Sequence, residues 1–187
     1  MRSRPILLSI LISAAIIVTS VFVTNEGKYH LPFDIKYHTL SKSMQKQVDC
    51  LTENILFEAG KESKQGQVAV ALVTLNRVAS GNYASDVCGV VHQKTNGVCQ
   101  FSWVCEAEHR ARRLTMLNSS LYNEIRSVAI NVIMNYETMK DITKGATYYH
   151  ADYVNPHWGL PKTTQIGNHI FYKRNSDTRK LDKEIRL

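Results

Sequence analysis

Apolar residues along this chain fall into one mostly apolar run, Ile6 to Val23, diluted by Ser9, Ser13, Thr19 and Ser20, and then into stretches with helical spacing. In the first stretch Met44, Val48, Leu51, Ile55 and Leu56 share a face. They predict a helix that starts near Ser41 and stops at Gly60, with Glu58 in its last turn. In the second, Val68, Ala69, Leu72, Leu75, Val78 and Ala79 predict a helix over residues 65–79, capped by Ser63 and ended by Gly81. Its apolar face is expected to pack on the first helix. A short helix is expected to open at Asp86 behind Ser85, and a long one from about Ser120 carries Leu121, Ile125, Val128, Ala129, Val132, Ile133 and Tyr136. After Gly145 the period changes. Residues 146–154 and 167–173 are short aromatic-rich runs bounded by Pro156, Gly159, Pro161 and Gly167, which predict a small β-hairpin or sheet. The class expected is α+β, mainly helical.

The run from Ile6 to Val23 carries no charge, and as a helix it would reach about 27 Å, close to the hydrocarbon thickness of a bilayer. Arg2 and Arg4 precede it, so the positive-inside bias keeps the N-terminus cytoplasmic and exports the rest of the chain. Residues 1–24 therefore read as a transmembrane signal-anchor, or as a signal-arrest-release segment that later leaves the bilayer. Cleavage as a signal peptide competes with both, but no clear small-x-small site lies near Val18–Thr24. Residues 25–40 read as a linker, 41–174 as the folded domain and 175–187 as a charged tail. The expected location is the cytoplasmic (inner) membrane, single-pass, with the domain facing the periplasm or cell exterior.

Charge narrows the choice of partners. The formal net charge is +7, of which Arg2 and Arg4 supply two, so the exported part is itself basic and suited to anionic surfaces. No base-reading motif is present, which argues against nucleic acid. Cys50, Cys88, Cys99 and Cys105 all fall in the exported part, where disulfides form. Four cysteines allow three connectivities, and Cys88 with Cys99 would close a loop around Asn96-Gly97. Neither C-x-x-C nor H-E-x-x-H occurs, and His150, His157 and His169 match no ligand spacing, so neither a metal nor another cofactor is expected.

The run ENILFEAGKESKQGQVAVALVTLNRV, residues 53–78, resembles the cell wall hydrolase family that includes the spore cortex-lytic transglycosylases. The resemblance continues through Cys88-Gly-Val-Val, Cys99-Gln-Phe-Ser-Trp and Cys105. It extends to Ala146-Thr-x-Tyr-His-Ala, Pro156-x-Trp158 and Ile166-Gly-x-His-x-Phe-Tyr172, covering about residues 50 to 173. It implies a lysozyme-like transglycosylase fold, peptidoglycan as substrate and Glu58 as the catalytic acid. It also implies a lytic mechanism, in which the muramyl C6 hydroxyl attacks in place of water, so that one carboxylate suffices.

Gln100, Phe101, Ser102, Tyr148, His150 and Trp158 are the candidates for a substrate groove, since amides and hydroxyls can bond N-acetyl groups and aromatic rings can stack on sugars. For Phe101 and Trp158, packing in the core is an equal alternative. Asn76 and Arg77 are expected to brace the surroundings of the glutamate. Glu62 and Glu53 are the competing carboxylates, and each reads first as a solvated helix face. Other functional readings are a muramidase or an amidase of the same wall, or an inactive membrane-tethered wall-binding protein. The chain is read as a monomer, and phage lysis, wall remodelling and germination are all compatible with it.

Overall fold

The computed structural model describes residues 35–108, 115–117 and 119–176, all within one compact unit, Leu31–Leu187. The apolar run at 6–23, most of the expected linker and the charged stretch from 177 onward lie outside the described residues. Among the described residues no helix is long and apolar enough to cross a membrane.

Helix α1, Lys42–Ala59, starts where Ser41 accepts a hydrogen bond from the backbone N–H of Met44. Gly60 follows it, but in the right-handed conformation, φ −60° and ψ −25°, rather than as a left-handed cap. A Cβ there would run into the carbonyl of Leu56, so a close approach is what requires glycine. Helix α2, Lys64–Ser80, is capped by Ser63 and ended by the left-handed Gly81. Helix α3 is Val87–Val91, with Asp86 rather than Ser85 as its cap. A short 3-10 helix, Tyr37–Thr39, precedes α1, and a short α4, Ser102–Cys105, and a long α5, Ser120–Asn135, follow α3.

Helix α2 departs from the expected one-sided stripe, because every residue from Gly66 to Ser80 is buried. It is the central helix: α1, α3 and α5 pack around it, and strand β4 of the C-terminal sheet meets its remaining side. Its polar residues then need internal partners. Asn76 bonds Asp141, Thr143 and the carbonyl of Ala146, accepts from Tyr136 Oη at 2.8 Å, and so ties α2 to α5 and to the chain entering the sheet. Arg77 Nε donates to the carbonyl of Thr147 at 2.8 Å.

Among the described residues there are two sheets. Strands β1, Lys94–Thr95, and β2, Val98–Cys99, form a hairpin across Asn96-Gly97, both with positive φ. Strands β3, Tyr148–Ala151, β4, Lys162–Ile166, and β5, His169–Tyr172, form an antiparallel sheet of order β3-β5-β4. One face of this sheet packs on Ala69 and Val73 of α2 through Ile166 and Phe171. Strand β4 reads as polar in the sequence, Lys-Thr-Thr-Gln-Ile, because its other face looks to solvent.

Two disulfides are closed, Cys50–Cys88 from α1 to α3 and Cys99–Cys105 from β2 to α4. The Cys88–Cys99 pairing is thereby corrected: Asn96-Gly97 turns a hydrogen-bonded hairpin and has no need of a covalent closure. Ile35, Tyr37 and Leu40 pack on the main core, and Tyr37 Oη donates to Asp49 at 2.7 Å, so ordered packing begins before Ser41.

Candidate functional site

Glu58 is half-buried in the last turn of α1. Its Oε2 accepts a 3.0 Å hydrogen bond from the hydroxyl of Tyr149 on the edge strand β3. That hydroxyl stays protonated far above the usual tyrosine range. Burial is the main cause, followed by the negative charge of Glu58, while Arg77 acts in the opposite direction. Tyr149 therefore serves as a permanent donor to Glu58. Its ring meets His169 edge-on at 5.2 Å and tilts on Phe171 at 5.8 Å, so the sheet holds it from two sides.

The helix that carries Glu58 is fixed just before it. Phe57 stacks on Trp103 at 4.7 Å between ring centroids. The indole N–H of Trp103 donates to Asn54 Oδ1 at 3.1 Å, and Asn54 Nδ2 donates to Thr74 Oγ1 at 3.2 Å. This buried chain links α4, α1 and α2 behind the glutamate. Trp103 lies inside the short loop closed by Cys99–Cys105.

Glu62, the nearest carboxylate rival, is tied elsewhere. Its Oε1 accepts from Asn168 Nδ2 at 2.9 Å and its Oε2 from the Asn168 backbone N–H at 3.3 Å, clamping the α1–α2 turn to the β4–β5 turn. Gly167, with φ +56°, passes so close to Glu62 that a Cβ would collide with its carboxylate. Glu53 is buried.

The groove candidates do not close into one ring around Glu58. Side chains alternate along a strand, so Tyr148 and His150 point away from the face that carries Tyr149. They join Trp158 and Tyr172 in an aromatic cluster, with His150 stacked on Tyr172 at 5.1 Å and Trp158 edge-on to Tyr148 at 5.8 Å. Trp158 is 43% exposed, so the packing alternative does not describe it. It does describe Phe101, which is buried with the Arg77 guanidinium 5.0 Å from its ring. Gln100 and Tyr148 line one common cleft, and Ser102 is exposed at the first position of α4. The histidines also separate: His169 shares the buried face with Tyr149, His150 lies on the other face, and His157 is exposed in a loop.

Tyr149 and Trp103 are site residues that sequence reasoning misses. The fixed tyrosine of the Ala146-Thr-x-Tyr-His-Ala motif is Tyr149, and Tyr148 occupies its variable position. The motif position taken together with the strand's alternation is the signal that selects the right ring.

Residues 61–172 match the family described as Cell Wall Hydrolase. The chain belongs to that family. The matched stretch opens just after Glu58 and takes in Tyr149, Trp103, both sheets and the disulfide Cys99–Cys105. A spore cortex-lytic enzyme of Halalkalibacterium halodurans is 28% identical over 131 residues, covering 66% of this chain and 34% of that enzyme. The chain thus spans about a third of that curated relative's length. Among solved structures, the catalytic domain of the germination-specific lytic transglycosylase SleB from Bacillus anthracis superposes with a TM-score of 0.52 at 25% identity. That match covers 76% of this chain and all of that domain. The catalytic domain of the Bacillus cereus SleB protein gives 0.51 at 27% identity, covering 69% of this chain and 91% of that one. The cell wall hydrolase shares with them a mixed, mainly helical fold with small sheets.

Proposed function

We propose that this protein is a lytic transglycosylase that cleaves the glycan strands of peptidoglycan, with Glu58 as its catalytic acid and base. The observation that carries the reading is the pair formed by Glu58 at the end of α1 and the half-buried donor Tyr149. Similarity to the SleB catalytic domains supports it. Glu58 first protonates O4 of the departing N-acetylglucosamine as the bond to muramyl C1 breaks. The resulting carboxylate then takes the proton of the muramyl C6 hydroxyl, whose oxygen closes on C1 to leave a 1,6-anhydro end. Tyr149 holds Oε2 throughout and so fixes the plane of the carboxyl group.

One carboxylate is enough for this sequence of steps, whereas the usual hydrolytic routes employ two. The engagement of Glu62 with Asn168 agrees with the one-carboxylate route. Mass analysis of products from purified sacculi tests the proposal: anhydromuramyl ends are expected, and reducing muramic ends alone would identify a muramidase instead.

The apolar run at 6–23 behind Arg2 and Arg4 supports tethering to the inner membrane, with the domain facing the periplasm or cell exterior. A released signal-arrest form, as in phage-type lysis, is the variant in which the same segment leaves the bilayer. Fractionation before and after membrane depolarisation separates the two.

A further inference from the structure

A cleft of about 490 Å3 opens between the β1–β2 hairpin and the start of β3, lined by Tyr83, Gln93, Gln100, Tyr148 and Arg174 among others. Glu58 does not line it. Its chemistry is that of a site for a polar, partly flat, anionic ligand. Two aromatic rings, Tyr83 and Tyr148, form part of the wall, and both are half-buried. Gln93 uses its carbonyl oxygen to accept from the backbone N–H of Ala84 at 3.1 Å, which turns its amide N–H groups to other partners. Gln100 donates to Thr95 Oγ1 at 3.0 Å and keeps its carbonyl oxygen for others.

Arg174 supplies the charge. Its guanidinium carbon lies over the Tyr148 ring, 5.2 Å from the centroid, a cation–π contact at the cleft. Among the described residues it makes no ion pair, although such a fork matches a carboxylate in bidentate geometry. A cation at the rim of a cleft, with no acid paired to it among the described residues, suits an external anion.

We propose that this cleft binds a muramoyl residue of the glycan strand by its carboxylate, with Arg174 as the carboxylate reader, Gln93 and Gln100 on the N-acetyl group and Tyr83 and Tyr148 against the sugar. This rests on peptidoglycan being the substrate. Muramoyl units carry carboxylates on their stem peptides, and on the lactyl group itself where the peptide has been removed. Glucosamine units carry none.

Binding can be measured without turnover by using the full chain in detergent with Glu58→Gln in place. Sacculi are compared with the same sacculi after their carboxylates have been converted to amides. About fivefold weaker co-sedimentation with the amidated sacculi is expected, in line with the loss of one partly exposed charge-assisted hydrogen-bonded pair. Adding Arg174→Gln should remove that difference, and Arg174→Lys should retain part of it. Equal binding to both sacculi by the Glu58→Gln chain, or a difference that survives Arg174→Gln, would overturn the proposal. Strands stripped by an amidase, which bear only lactyl carboxylates, identify the source: Arg174 dependence that persists there assigns the lactyl group, and its loss assigns the stem peptide. Because binding alone is read, a failure of the lytic mechanism would leave these outcomes intact.

Discussion

The hydroxyl of Tyr149 and Oε2 of Glu58 lie 3.0 Å apart, joining the edge strand of the C-terminal sheet to the last turn of the first helix. The two residues are far apart in the chain, and each is fixed independently, Tyr149 by His169 and Phe171 and the Glu58 turn by the Phe57–Trp103 stack. The carboxyl therefore has a set orientation before any glycan arrives, which is what positioning contributes to catalysis.

Tyr149→Phe keeps the ring and removes the donor. Turnover of sacculi should fall about tenfold with KM little changed, the size expected for one hydrogen bond to a charged group. The rate of product release measures this, and a wild-type turnover number would show that Tyr149 only packs.

Glu62 offers a contrasting test. Glu62→Gln should leave cleavage within about threefold of wild type at temperatures well below melting, while lowering the melting temperature by loosening the clamp on Asn168. Gly167→Ala should destabilise the same turn by about 1–2 kcal/mol, since it forces a side chain into the left-handed region and against Glu62. Loss of activity in folded Glu62→Gln would make Glu62 a chemical partner instead.

The two disulfides should separate stability from activity. Chain-entropy arguments assign about 4 kcal/mol to Cys50–Cys88 and about 2 kcal/mol to Cys99–Cys105, which spans a much shorter loop. Replacing the first pair by alanine should give the larger drop in denaturant midpoint. Replacing the second should cost more activity per unit of stability lost, because it frees the segment that carries Trp103. Equal ratios of activity loss to stability loss would contradict this.

Acidification should weaken the fold through His169. Burial lowers its pKa from 6.5, while Glu62 and Asp152 act in the opposite direction. As pH falls through 6.5 the unfolded chain binds a proton that the folded chain does not, so the stability associated with neutral His169 is present above 6.5 and declines toward the lower folded value. Melting temperatures between pH 7.5 and 6 should fall, and His169→Gln should flatten that slope. An unchanged slope would remove His169 as the cause.

Much of this architecture is legible in the sequence, for identifiable reasons. Ser41, Ser63 and Gly81 mark helix ends because caps and left-handed terminators are local chemistry. The apolar period of α5 reports one-sided burial, whereas in α1 the polar residues Thr52, Glu53 and Asn54 are buried along with the apolar stripe. Helix α2 is less legible. The bracing role expected of Asn76 and Arg77 names no partners, because Asp141 and the carbonyl of Thr147 are distant in sequence, as is Asn54 of α1, the partner of Thr74. The same non-locality hides Tyr149. Neighbouring tyrosines at 148 and 149 are equivalent in composition, and only the pleat of β3 sends one to Glu58 and the other to the aromatic cluster. The disulfide pairing is likewise set by which helices and strands meet, not by spacing.

Glu58→Gln is the most direct test of the central claim. An amide cannot deliver the carboxylic proton, so on zymograms of purified peptidoglycan the wild-type chain should clear the gel and Glu58→Gln should leave it intact, with both proteins showing the same melting temperature within a few degrees. Equal clearing by the two would contradict the assignment of Glu58 as the catalytic acid.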